Sequence, residues 1–325
     1  MCTRRDAEQW PATDGATCGN SPRGWQGRVV LSEIGKDRSR EDRTVTIIAL
    51  FGAAGKMGTR ISNNLKDTPE YRMLYVEPDE TGQARMRERG LTPTSQEKAV
   101  GEADVVILAI PDIYIRSVAA EIVSGLKSGA MVICLDPAAP HGGELPPRED
   151  ISYFITHPCH PPLVNDETDP EARRDFFGGT KAKQHIVCAL MQGPEGDYAR
   201  GEAIARKMFA PVMRAHRVTV QQMAILEPAM AETVTLTCMM VIREAMDEAI
   251  RRGVPPEAAR DFILGHMNVF VGILFGYVDA QVSDGARLAA ERARQRFFSP
   301  DWKKVFEPEN VLQEVKSITQ GTALK

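Results

Sequence analysis

Two histidines and two glutamates are the residue types best suited to proton transfer or metal binding in this chain. His157 and His160 flank Cys159 in the turn His157-Pro158-Cys159-His160-Pro161-Pro162. Proline fixes φ and removes conformational freedom, so the turn is stiff and can hold an imidazole at the end of a strand. Near neutral pH an imidazole serves as a general base or as a neutral metal ligand. Glu227 and Glu232 interrupt an apolar run, Met223 to Ile242. On a regular helix a spacing of five sets them about 140° apart, so they share a face only if Pro228 distorts the turn. Glu232 precedes the longer apolar stretch and is expected to be the more deeply buried. A buried carboxylate needs a partner, which a metal or a substrate hydroxyl can supply. The competing readings are an internal ion pair for Glu232 and a structural cap for the histidines.

A second constellation concerns phosphate. The loop Gly52-Ala53-Ala54-Gly55-Lys56-Met57-Gly58 follows the β-branched, apolar run Thr44–Phe51 and opens a helical stretch. Gly52 lets the chain turn sharply, Gly55 lets backbone approach a pyrophosphate, and Gly58 lets the helix pack on the sheet. The helix start then offers free N–H groups to phosphate, with Ala54, Lys56 and Met57 lining the cradle. Glu77 closes the next strand, about 20 residues on, where a carboxylate accepts from ribose hydroxyls and repels a 2′-phosphate. The cofactor expected is therefore NAD rather than NADP. Ala109-Ile110-Pro111-Asp112 ends another strand at the same sheet edge, where the nicotinamide half should lie.

The elements that must position these residues alternate. Buried strands are expected at Leu74–Val76, Ala103–Ile110, Ala130–Leu135, Ile151–Thr156 and Ile186–Met191, with helices at Ala84–Gly90 and Ser117–Leu126. Alternation of this kind implies an α/β fold, with an N-terminal Rossmann doubly wound parallel sheet. Beyond it the pattern reads as helix: Tyr198–Ala215, then Val220–Arg252 stopped by Gly253, then a helix started by Pro255 and Pro256 and running to about Gly276. Three segments follow: a disordered N-terminal extension over 1–43, a Rossmann domain over 44–195, and an all-α C-terminal domain over 196–325 for substrate and dimerisation. The apolar stretches Thr233–Ile250 and Met267–Phe275 exceed what a small helical domain hides alone, which points to a homodimer.

The net charge of −4 and pI near 6.0 over 325 residues argue against nucleic acid or an anionic membrane surface as partner. No uninterrupted apolar run reaches membrane-spanning length. Six cysteines, none in a C-x-x-C pair, fit a reducing, cytoplasmic location.

Several segments together resemble the D-apionate oxidoisomerase family. They are GAAGKMG, ADVVILAIPD, THPCHPP (Thr156–Pro162), NDETDPEARRDFFGG (Asn165–Gly179), ALMQGPE, VMRAHRVTVQQMA, LEPAMAETV, IREAMDEA and DWKKVFEPE, spread from about Val45 to Ile318. The wider resemblance is to β-hydroxyacid dehydrogenases with a helical C-terminal domain of the 6-phosphogluconate dehydrogenase type. Those broader relatives carry a K-x-x-x-N pair at the head of the second domain, and this chain has none there. The resemblance implies NAD-dependent oxidation of the C2 hydroxyl of a sugar acid, D-apionate, and a 1,2-shift of a hydroxymethyl group to give 3-oxo-isoapionate. A shift between adjacent oxygens calls for a Lewis acid, so a divalent ion is expected, zinc first because imidazole is a candidate ligand. His160 and Glu232 are the expected ligands, with His157 as third ligand or base. The rivals are a dehydrogenase that does not rearrange its product, decarboxylating or not, and a non-catalytic NAD sensor.

Overall fold

The computed structural model describes residues 45–321, and the expectation for residues 1–43 lies outside them. The chain folds as helices on both sides of a seven-stranded sheet of order β2-β1-β3-β4-β5-β6-β7. The strands are β1 (Thr46–Phe51), β2 (Tyr71–Val76), β3 (Val105–Leu108), β4 (Met131–Cys134), β5 (Ser152–Pro158), β6 (Gln184–Gln192) and β7 (Val212–Arg217). β3 and β4 are fully buried runs of Val, Ile, Leu, Met and Cys, as expected of parallel strands covered on both faces. The pairing is parallel throughout except between β5 and β6. The sheet is thus parallel-dominant rather than purely parallel.

One core layer joins the sheet to α1 (Lys56–Leu65), α2 (Glu80–Glu88) and α6 (Gly196–Met208) through Ile61, Leu65, Met86, Ile204 and Met208. The opposite layer joins it to α3 (Gln96–Glu102), α4 (Asp112–Ile122) and the short α5 (Ala138–His141) through Ala99, Ile115, Ala119, Ile122 and Ala139. The glycine loop, Asp112, Asp136 and His157 stand at or just past the carboxyl ends of their strands, along one edge of the sheet.

The helix expected over Tyr198–Ala215 ends at Met208, and β7 follows as an edge strand. Pro211 explains the break, since proline has no N–H to donate and disfavours helix in the residue before it. The sheet therefore continues beyond the expected domain boundary at residue 195. The helical region begins only at α7 (Val220–Ala224), which has a capping box of Thr219 and Gln222. It continues without a break through a π-helical segment, Ile225–Leu236, into α8 (Thr237–Arg251). Then come α9 (Pro256–Leu274), α10 (Asp284–Phe297) and α11 (Pro308–Gln320). Helix α11 packs back on α4, α5 and the π-helical segment, tying the end of the described chain to the sheet's carboxyl edge. Helices α8 and α10 have no buried residue, and α9 has only Ala259. By length and mean hydropathy, 1.5, the continuous helix Val220–Arg251 could cross a membrane. It carries Glu227 and Glu232 near its start and Arg243, Glu244, Asp247 and Glu248 near its end.

Candidate active site

The glycine loop has the geometry its spacing predicts. Gly52 sits at φ 74°, and a Cβ there would lie 2.3 Å from the Ala109 carbonyl oxygen. A Cβ on Gly58 would lie 2.1 Å from the Gly52 carbonyl oxygen, so only hydrogen fits where α1 crosses the loop. Gly55 precedes α1 with no side-chain cap, and no acid lies in the helix's first turn. The N–H groups and partial positive charge of that helix end are free to meet phosphate. Glu77 follows β2 and accepts from the Ala54 N–H at 3.1 Å, which holds its carboxylate beside the loop. The loop also borders a cavity of about 380 Å³ lined by Lys56, Ala109, Ile110, Asp112, Leu135 and Asp136.

The turn after β5 holds the histidines differently from one another. His157 Nδ1 lies 2.8 Å from the Pro158 carbonyl oxygen. That oxygen can only accept, so Nδ1 donates to it and Nε2 is the ring nitrogen turned toward the glutamate. Nε2 lies 3.6 Å from a Glu227 carboxylate oxygen. Asp136, His157 and Glu227 each offer a ligand atom within 4.8 Å of the others, the kind of cluster a cation can join. His160 stands apart from this group. Its backbone is left-handed (φ 61°), its Nδ1 meets the Phe177 carbonyl oxygen at 2.9 Å, and its ring centroid is 5.9 Å from that of His157. The same loop is organised by Asp175, whose carboxylate accepts from the N–H groups of Gly178, Thr180, Lys181 and Ala182.

The π-helical segment answers the question about the glutamates. Hydrogen bonds closing at i→i+5 bring residues five apart nearly above one another, so Glu227 and Glu232 do come to one side of the helix. Pro228 lies inside the segment, and its carbonyl oxygen accepts from the Thr233 hydroxyl at 2.7 Å. Glu232 is not the more buried of the two: it is open to solvent on one side, and Glu227 is half-buried. Even so, partial burial and the charges of Glu227 and Asp136 push the Glu232 carboxyl up to about 7, with His157 acting in the opposite sense. Burial and the charge of Asp136 likewise push Asp112 up to about 7. Asp136 is raised as well, mainly by burial, although it accepts from the Ala138 N–H at 2.7 Å. Four carboxyl groups thus crowd one imidazole, a distribution that a bound cation would relieve.

Of the expected ligand pair, neither His160 nor Glu232 belongs to the Asp136–His157–Glu227 group. Asp136 was not among the residues singled out from sequence. Its signal was positional: it closes a buried strand at the edge already marked by Glu77 and Asp112.

Residues 165–319 match the family model described as phosphogluconate dehydrogenase (decarboxylating) C-term. Residues 40–166 match the model described as acetohydroxy acid isomeroreductase, NADPH-binding domain. A curated relative from Rhizobium rhizogenes, D-apionate oxidoisomerase, is 52% identical over 276 residues, covering 85% of this chain and 100% of the relative. The D-apionate oxidoisomerase of Cupriavidus necator is 51% identical over 273 residues, covering 84% and 99%. A crystal structure from Cupriavidus necator, described as a semialdehyde dehydrogenase NAD-binding protein in complex with calcium and NAD, is 51% identical with a TM-score of 0.82. It covers 84% of this chain and 99% of its own.

Proposed function

The chain belongs to the D-apionate oxidoisomerase family, and we propose from that premise that it converts D-apionate to 3-oxo-isoapionate with NAD as oxidant. The observation that carries the reading is the pairing, on one sheet edge, of an uncapped glycine-loop helix with the acid-rich cluster around His157. The C2 hydroxyl loses a proton and the C2 carbon a hydride, giving a 2-oxo acid beside a tertiary alcohol. Loss of the tertiary hydroxyl proton lets a hydroxymethyl group move with its bonding pair from C3 to C2. C3 becomes the ketone, and the C2 oxygen takes up a proton.

Bound NAD supplies the hydride acceptor, and a divalent cation supplies a Lewis acid for the adjacent oxygens. The residues present fit both groups. Gly52, Ala54, Gly55, Lys56, Met57 and Gly58 cradle the pyrophosphate, and Glu77 accepts from the adenosine ribose. Asp136, His157 and Glu227 hold the cation. Two carboxylates suit a hard ion such as the calcium of the Cupriavidus structure, while the imidazole keeps zinc the first ion to test. Glu232, with its carboxyl near 7, takes and returns the hydroxyl proton. This revises the expected pairing of His160 with Glu232 as ligands. His160 instead faces substrate from the rim, beside His157.

The exposed apolar faces of α8, α9 and α10 are read as the seam with a second copy of the chain rather than as a lipid-facing surface. Cys134, Cys159, Cys188 and Cys238 are free thiols, which suits a reducing cytoplasm. Given D-apionate, NAD and a divalent ion, the protein is expected to form NADH, followed by its absorbance. No NADH from D-apionate would overturn the function. Full activity after complete chelation would overturn the cation assignment.

A further inference from the structure

Asp112 opens α4 directly after Pro111. Its Oδ1 is buried and has no hydrogen-bond partner among the described residues. A buried acceptor left unpaired costs stability, and in native proteins it usually has a ligand or a chemical role to account for it. Asp112 also lines the cavity bounded by Gly55, Lys56, Ala109, Leu135 and Asp136.

The sheet order says what that cavity faces. The phosphate-binding helix start follows β1, and Glu77 follows β2 on one side of it. The cavity lies on the other side, at the ends of β3 and β4. A dinucleotide whose pyrophosphate sits at α1 and whose adenosine ribose meets Glu77 must send its other half into this cavity. That half carries a primary carboxamide, whose N–H₂ group is a donor suited to a carboxylate oxygen. The other carboxylate lining the cavity, Asp136, accepts from the Ala138 N–H and lies in the group with His157 and Glu227.

We propose that Asp112 Oδ1 accepts a hydrogen bond from the carboxamide of the nicotinamide ring and so fixes which face of the ring meets the substrate. The proposal rests on the NAD reading above. It makes Asp112 a cofactor-binding residue that sets specificity for the amide, distinct from the glycine loop, which reads only phosphate.

The test measures binding without substrate, by calorimetry on the full chain at about pH 8.5, where the Asp112 carboxyl is ionised. The ligands are NAD, its 3-acetylpyridine analogue, in which a methyl ketone replaces the carboxamide and no N–H remains, and ADP-ribose. The unsubstituted protein is expected to bind NAD on the order of tenfold or more tighter than the analogue. Asp112→Ala should bind the two nearly equally, while Asp112→Asn, which keeps an acceptor oxygen, should retain most of the preference. ADP-ribose should bind all three proteins alike, which also reports that the variants are folded. No preference in the unsubstituted protein would overturn the inference. So would a preference that survives in Asp112→Ala, or an equal loss for NAD and analogue in that variant. Failure of the unsubstituted protein to bind either NAD or ADP-ribose would overturn the dinucleotide reading itself.

Discussion

The sheet and the last helices of this chain bury apolar surface in opposite ways. Every residue of β3 and β4 is buried, and the sheet is covered on both faces by its own helices. Helices α8 and α10 have no fully buried residue, and Phe262, Leu274 and Phe275 on or beside α9 stand well exposed. The sheet half is complete as one chain, whereas the helical half presents the kind of face that is complete only against another surface. The group of Asp136, His157 and Glu227 draws on both halves: Asp136 and His157 come from the closed half, and Glu227 from the first turns of the open one. On the proposed cation site, the sheet edge would supply Asp136 and His157, and the π-helical segment would add Glu227.

The largest expected effect breaks the closed half from within. Gly58→Val puts carbon where 2.1 Å separates even a Cβ from a carbonyl oxygen. It should weaken NAD binding by more than about 100-fold by calorimetry, or leave the loop unformed. Next, paired substitutions sharpen the contrast. Leu50→Ala, at a fully buried position, should cost about 2–5 kcal/mol in urea unfolding. Phe262→Asp, on a residue 68% exposed, should leave unfolding at low concentration nearly unchanged and shift sedimentation from dimer to monomer. Equal responses to both substitutions would erase the distinction between the two halves.

A smaller effect probes the meeting point. His157→Ala should remove most of the rise in melting temperature caused by added divalent ion, and His160→Ala should keep it. Equal loss in both would return His160 to the ligand set.

The smallest effect is in pH. Asp112 and Glu232 have carboxyls raised in the folded state to about 7, above their ordinary values. Between those ordinary values and about 7 the folded chain binds more protons than the unfolded chain, so stability falls as pH rises through that window. With chelator present, melting temperature should fall by a few degrees from about pH 5 to pH 8, and a bound cation should flatten the slope. A rise over the same range would contradict the crowding of carboxylates.

The glycine loop was legible in sequence because its chemistry is local: the spacing of Gly52, Gly55 and Gly58 is itself the geometry. Strands β3 and β4 were legible because they are buried on both faces. β7 was not, because the helical pattern of Tyr198–Met208 runs smoothly up to it and four of its six residues are exposed, leaving Pro211 as the clearest mark of the break. The group of Asp136, His157 and Glu227 was only partly legible. His157 announced itself through its prolines. Asp136 and Glu227 depend on which strand ends adjoin and on a π-helical segment that residue types do not specify, although Pro228 marked where the helix could be distorted.

Oxidation joined to rearrangement is what separates the proposed reaction from a plain dehydrogenation. Its most direct test is the carbon NMR spectrum of the product formed from uniformly labelled D-apionate with NAD and a divalent ion. One NADH per substrate and a branched 3-oxo acid that retains every labelled carbon are expected. An unrearranged 2-oxo acid, or labelled carbon dioxide, would contradict it.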